Sequence, residues 1–411
     1  MMKLSPLTVL KSLTPSNINI IAGDFFNRTN TPDTHIRHLE SSIKWLCNSQ
    51  DATGSGGCSA TYDIFGGWNL AYPETTGYII STFLRYATFT KDNSYVDRAR
   101  KMGDWEIDIQ LPSGAVRGGL VNNEYPIVFN TGMVVLGWAD LYHITGEKKY
   151  LDAAVRAADW LCSVMDEDGK WTKYEFKELP HAYCSRVSWS LLEVYRHTKD
   201  NRYKQAARNN ICWVLSGVHV NGWIDHMSFY GPAENPLTHT IAYTLRGLLE
   251  SSSYFKDDLQ DEILRVVKKA SEQIMNSYLD NPSIPNRKIS LLPGRYTSEW
   301  KPASDFSCLT GNAQMAIIWL KLYQLFNDNR FLNTAVRVID ELKKVQKIKH
   351  PNVGIRGAIA GSYPIWGGYC PFSYLNWAVK FYADALMLSE AIRTAETREV
   401  ITEKEVIENI I

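Results

Sequence analysis

Four short phrases decide how this chain is read: KDNSYVDRA at 91–99, GEKKYLDAA at 146–154, KDNRYKQAA at 199–207 and NDNRFLNTA at 327–335. In each, Asn, Asp or Gly supplies a turn, and one aromatic ring (Tyr95, Tyr150, Tyr203 or Phe331) pins the helix that follows. A phrase that recurs between two helical segments marks a repeat architecture. Each occurrence is the elbow of a helical hairpin.

The segments ahead of the elbows, such as NTGMVVLGWADLYHI at 130–144 and GNAQMAIIWLKLYQLF at 311–326, are apolar nearly all round. A helix with no polar face is buried on most sides, so these are inner helices. The segments after the elbows, such as FLNTAVRVIDELKKVQ at 331–346, carry apolar residues at helical spacing with charges opposite, which makes them outer helices. Two more inner helices start near His239 and Phe372 without the phrase, and HIRHLESSIKWLCNSQ at 35–50 supplies the outer partner of the last one. The expectation is an all-α, single-domain (α/α)6 toroid over 34–395, with extensions at 1–33 and 396–411. Inner helices are expected to begin near residues 75, 131, 185, 239, 311 and 373. An open solenoid of hairpins is the competing architecture.

Lys plus Arg equals Asp plus Glu at 44 each, so no net field holds a polyanion, and nucleic acid is not expected as a partner. The seven cysteines form no C-x-x-C pair and are odd in number, which reads as reduced thiols in a cytoplasmic protein. The first residues show no apolar run followed by a small-residue cleavage site, and no apolar stretch is long enough for a membrane span. The chain is expected to be neither exported nor integral to a membrane. Its oligomeric state is open.

In such a ring the stretches ahead of the inner helices converge on one mouth, where free helix N–H groups gather. Polar and aromatic residues crowd those stretches beyond the needs of capping. The candidates for catalysis are Glu74, Tyr78, His181, Tyr183, Arg186 and His239. The candidates for substrate binding are Trp68, Tyr72, Asn130, Asp225, Asp305, Asn312, Trp366, Tyr369, Tyr374, Asn376 and Trp377, with Trp68, Trp366 and Trp377 expected to stack on sugar faces. Thr131, Thr238 and Thr310 read as helix N-caps. His and Cys spacing matches no recognisable zinc set, and no phosphate-cradling glycine motif is present, so no metal or cofactor is expected.

The phrases YPETTGYII (72–80), NPLTHTIAYTLRGLLE (235–250), CLTGNAQMAIIWLKLY (308–323) and GSYPIWGGYCPFSYLNWAVKFYADAL (361–386) resemble six-hairpin glycosidase-like toroid proteins associated with bacterial exopolysaccharide and surface-polysaccharide biosynthesis. The resemblance spans roughly 35–390. More distantly the hairpins are similar to uronyl C5-epimerases, unsaturated-uronyl hydrolases and (α/α) polysaccharide lyases. It implies the toroid fold and an oligosaccharide or polysaccharide substrate. Proton abstraction beside a uronate carboxylate needs a Tyr, His or Lys base and donors for the carboxylate, which the mouth supplies in number. C5-epimerase or lyase chemistry is therefore the leading expectation. Glycoside hydrolysis by Glu74 with Asp225 or Asp305 comes second, and a non-catalytic glycan-binding protein of a polysaccharide assembly system third.

Overall fold

The computed structural model describes residues 14–280 and 288–408, with residues 397–408 described as backbone. The inner helices are α3 (Pro73–Thr90), α5 (Val128–Thr145), α7 (Ser185–Thr198), α9 (Thr238–Ser252), α11 (Leu309–Phe326) and α13 (Asn376–Glu408). Their starts fall within three residues of those expected from the sequence. Each of the first five is followed by an outer helix: α4 (Ser94–Asp108), α6 (Lys148–Ser163), α8 (Asn201–Ser216), α10 (Asp258–Asp280) and α12 (Asn329–Val345). The sixth outer position is taken by α2 (His35–Asp51), which packs along α13. Inner helices touch in the order α3, α5, α7, α9, α11, α13 and back to α3, so the ring is closed.

The elbows work by a shared device. The inner helices before them end on left-handed residues, Lys91, Gly146, Lys199 and Asn327, whose N–H groups return to the carbonyls of Ala87, Tyr142, Tyr195 and Tyr323. In two elbows an aspartate then caps the outer helix: Asp200 and Asp328 each accept from the amide two residues on, at 2.9 Å. The elbow aromatics reach sideways, Tyr150 donating to Asp104 at 2.9 Å and Tyr203 to Asp159 at 2.8 Å on the preceding outer helix. The local turn and the spacing between hairpins are thereby set by the same nine residues.

Glycines let the inner helices approach backbone to backbone. A Cβ on Gly77 of α3 would lie 2.5 Å from Val134 Cα of α5, one on Gly247 of α9 would lie 2.4 Å from Arg186 N of α7, and one on Gly311 of α11 would lie 2.8 Å from His239 N of α9. The closing contact between α13 and α3 is polar instead. Thr82 and Arg85 of α3 meet Asp384 of α13 at 3.0 and 3.3 Å, and Lys380 pairs with the same carboxylate at 2.7 Å.

Short strands lie on the mouth side. Strand β1 (Thr61–Asp63) pairs antiparallel with β2 (Gly67–Trp68) and with β5 (Ser373–Leu375), and β3 (Ser307–Cys308) pairs with β4 (Ser362–Tyr363). Within the 1–33 stretch, α1 (Pro15–Phe25) buries Ile20, and Asp24 accepts from the Ile365 amide at 2.8 Å. Residues 1–13 of that stretch and 409–411 of the C-terminal one lie outside the described residues. No described helix is long and apolar enough to cross a membrane.

Gly77→Ala is expected to lower stability by about 1–3 kcal/mol through overpacking against Val134. Gly23→Ala in α1, where an added Cβ meets nothing within 4 Å, should be neutral or raise it by up to about 1 kcal/mol. Urea unfolding of the two variants checks this, and equal midpoints would refute the close-packed ring.

Candidate active site

The inner helices present residues one turn apart to the ring axis. From α3 come Glu74 and Tyr78, from α9 His239 and Tyr243, from α7 Arg186, and from α13 Trp377, Lys380 and Phe381. Tyr72, on the extended residue before α3, donates to Glu74 Oε2 at 2.6 Å, and its ring meets Trp377 edge-on at 6.2 Å. Trp377 Nε1 donates to Tyr369 Oη at 2.9 Å, and Tyr369 lies 5.5 Å from the His239 ring. His239 packs against Tyr243 at 4.2 Å, and Tyr243 reaches Tyr78 hydroxyl to hydroxyl at 3.4 Å. Tyr72 and Glu74 keep partial solvent exposure while protein surrounds them closely. They line a recess that stays partly open to solvent.

Burial controls the ionisation of this wall. It pushes the Glu74 carboxyl up to about 7, against the pull of the Tyr72 hydrogen bond and the Arg186 charge. The phenols of Tyr72, Tyr78, Tyr183 and Tyr369 are driven well above 10. Burial and the neighbouring Arg186 bring His239 down to about 3, and burial brings His181 to about 4, so both imidazoles are neutral at pH 7.

Arg186 is 2% exposed and, among the described residues, forms no ion pair. Its guanidinium lies 4.8 Å from the Tyr243 ring centroid, and its Nε meets Met133 Sδ at 3.3 Å. Burial lowers its pKa to about 10, which still leaves it charged. A buried guanidinium without a carboxylate is costly and is held here by ring faces and the Met133 sulfur.

The first candidate set is thus gathered around one cavity, except that His181 is turned aside. It stacks on Tyr183 at 4.5 Å and bonds the Phe176 carbonyl at 3.0 Å. Of the expected binding residues, Tyr72, Asn130, Tyr369 and Trp377 share the wall, Asn130 lying near the Tyr72 phenol while donating to the Arg117 carbonyl at 3.3 Å. The others go elsewhere. Asn312 accepts from Leu292 N at 2.9 Å and donates to Cys308 O at 2.8 Å, and Asn376 donates to Ser59 O at 2.9 Å and Thr75 Oγ1 at 2.8 Å. Both are fully buried and tie loops to helix starts. Tyr374 is buried in β5 with Asp24 and Tyr62 about it, and Trp68 packs on Trp45 at 5.1 Å and Tyr62 at 5.2 Å. Trp366 is half-buried on the flank of the core. Asp225 is exposed and bonded to His219 at 2.9 Å, and Asp305 is exposed in its loop. The threonines read as N-caps do not cap: Thr131 accepts from Val116 N at 3.0 Å and Thr238 bonds Pro293 O, stapling the preceding loop.

Glu175 escaped the sequence reading. It sits six residues ahead of His181, in a loop with no motif to mark it. Its oxygens accept from Phe129 N at 2.7 Å and Phe176 N at 3.1 Å, and burial, reinforced by the Glu74 charge, raises it to about 7. Tyr243 and Lys380 were also missed, because they lie a turn inside their helices, past the stretches that lead into them. Lys380, 4% exposed, is brought to about 7 by burial against the pull of Asp384. Among the described residues no group of three or more His, Cys, Asp or Glu is placed to hold a metal ion.

The helical ring defines the fold: the chain is an (α/α)6 toroid. The family model described as the β-L-arabinofuranosidase GH127 catalytic domain matches residues 74–276, just under half of the sequence. Among solved structures, an unsaturated glucuronyl hydrolase specific for heparin aligns with TM-score 0.68 at 16% identity, over 88% of this chain and 98% of its own. The unsaturated glucuronyl hydrolase of Bacillus sp. GL1 aligns with TM-score 0.64 at 15% identity over 86% and 96%. A D-mannose isomerase aligns with TM-score 0.62 at 12% identity over 86% and 97%. No curated protein matches the sequence.

Glu74 and Glu175 each hold a proton more tightly folded, at about 7, than at their ordinary 4.5. Their contribution to stability is complete below pH about 4.5 and is lost as pH rises through about 7. The slope that the glutamates contribute is opposed by that of the depressed His181 and His239. The stability of wild type relative to Glu74→Gln should therefore shrink as pH rises from 4.5 to 8. An unchanged slope in that variant would contradict the assignment.

Proposed function

We propose that this chain is a carbohydrate-active enzyme that cleaves a glycosidic bond next to an anionic, uronate-type sugar, with Glu74 as general acid. The observation that carries the reading is the Glu74 carboxyl itself: raised to about 7, held at Oε2 by Tyr72 and facing a cavity. A carboxyl in that state donates a proton to a leaving oxygen at neutral pH. Glu175 is the second carboxyl, in the role expected of Asp225 or Asp305. Arg186, charged and without a carboxylate partner, meets the substrate's anionic group. The glycoside hydrolase family match and the glucuronyl hydrolase neighbours support hydrolysis.

Proton abstraction at uronate C5, by an epimerase or lyase, is the second reading, and the neutral His239 imidazole near Arg186 favours it. It ranks behind because the phenols stay protonated and supply no base. The substrate in either case is a bacterial surface polysaccharide or its precursor, as the sequence resemblance implies. The seven free thiols fit a cytoplasmic setting.

Incubated with uronate-containing oligosaccharides in heavy water, the protein should release reducing ends without deuterium at C5 and without the ultraviolet absorbance of an unsaturated uronate. Glu74→Gln should lower turnover at least about a hundredfold with unchanged circular dichroism, and Arg186→Lys should cost heavily. Deuterium at C5 would transfer the assignment to epimerisation, new absorbance to a lyase. Near-normal turnover in both variants would remove this site, and binding without turnover in the wild type would leave a glycan-binding protein.

A further inference from the structure

The rim of the mouth holds a second feature that the acid–base reading does not use. Between α6 and α7, Tyr174, Lys177 and Glu178 all adopt left-handed backbone, with φ of 64°, 62° and 51°. Non-glycine residues pay for that conformation, and three within five residues persist only where the surroundings impose it. Glu175 imposes it here. Its buried carboxyl grips the Phe129 amide at the start of α5 with one oxygen and the Phe176 amide with the other.

The clamped turn projects Phe176 onto the rim. There it meets Phe229 at 5.8 Å and Tyr230 at 5.6 Å, both nearly edge-on. Phe229 continues inward to Tyr183 at 5.6 Å and to His239 at 6.5 Å. Outward, Tyr230 is 59% exposed, and Tyr125, 5.7 Å from Tyr174 on the same turn, is 44% exposed. From Tyr230 through Phe176 and Phe229 the rings run without a break to Tyr183 and His239, and Tyr125 flanks them through Tyr174 on the same turn. Lys177 and Glu178, both exposed, place charged hydrogen-bonding groups on the same turn.

Aromatic faces that stay in water next to a cavity, with polar groups at their edges, match the apolar face and hydroxyl rim of a pyranose ring. We infer that Phe176, Tyr230 and Tyr125 form a platform for the next sugar units of the substrate, so that the protein engages a chain and not a free monosaccharide. This inference rests on the reading of the central cavity as a sugar site. It adds to that reading a track of outer subsites and a role for the strained turn, which positions Phe176.

The test uses Glu74→Gln protein, so that bound chains are not consumed, on an immobilised series of uronate-containing oligosaccharides from disaccharide to hexasaccharide. Retention should rise with length. Tyr230→Ala or Phe176→Ala in the same background should remove that rise, weakening hexasaccharide binding about tenfold. Tyr230→Ala guards against misfolding, since its ring is largely in solvent, and its melting midpoint should match the parent. Equal retention of disaccharide and hexasaccharide, a length dependence that survives both substitutions, or no retention of any member overturns the inference. Length-dependent binding of chains that the wild type does not cleave would uphold the platform and sink the hydrolase reading.

Discussion

The ring depends on backbone contacts between neighbouring inner helices that only glycine permits. Gly77 leans on Val134, Gly132 on Val187, Gly247 on Arg186 and Gly311 on His239, and a side chain at any of them would collide with a neighbouring helix. Close approach at these heights turns the flanking residues toward the axis. Arg186 and His239 are thus delivered to the cavity by the contacts that hold the helices together. The contact of α13 with α3 is built otherwise, on the buried Lys380–Asp384 pair joined by the more exposed Arg85, where the last helix has to find the first.

Burial on this scale leaves few charges at the axis. Glu74 and Glu175 hold protons to about 7, His239 and His181 lose theirs, and the phenols keep theirs. All of these move toward neutrality, as desolvation requires. Arg186 is the exception, because even at about 10 its guanidinium remains charged near pH 7. A neutral, acid-bearing wall beside the charged Arg186 guanidinium favours proton donation. Base chemistry by a phenolate is what it suits least.

The toroid alone does not decide between these chemistries, since its structural neighbours include both glucuronyl hydrolases and a D-mannose isomerase. The argument has to come from the groups in the cavity. The carboxyls differ in setting: Asp225 is bonded to His219 in solvent and Asp305 is exposed in its loop, while two backbone amides hold the buried Glu175 beside Tyr183.

What the sequence determined by itself was everything local. The elbow phrase carries the left-handed stop and the pinning aromatic within a few residues, and the apolar or amphipathic character of each helix follows from spacing along one segment. Hence the six hairpins, their order and the role of segment 35–50 were legible, as was the gathering of Glu74, Tyr78, Arg186 and His239 at one end. Which of the crowded polar residues face the axis was decided only by the tertiary structure. Successive residues of a helix point about 100° apart, so Asn130, Asn312 and Asn376 look alike in sequence and all three bond loop carbonyls, while only Asn130 does so beside Tyr72. Glu175 and the rim aromatics reach their places through the paths of long loops. Those paths are set by contacts with residues tens of positions away, and no local pattern records them.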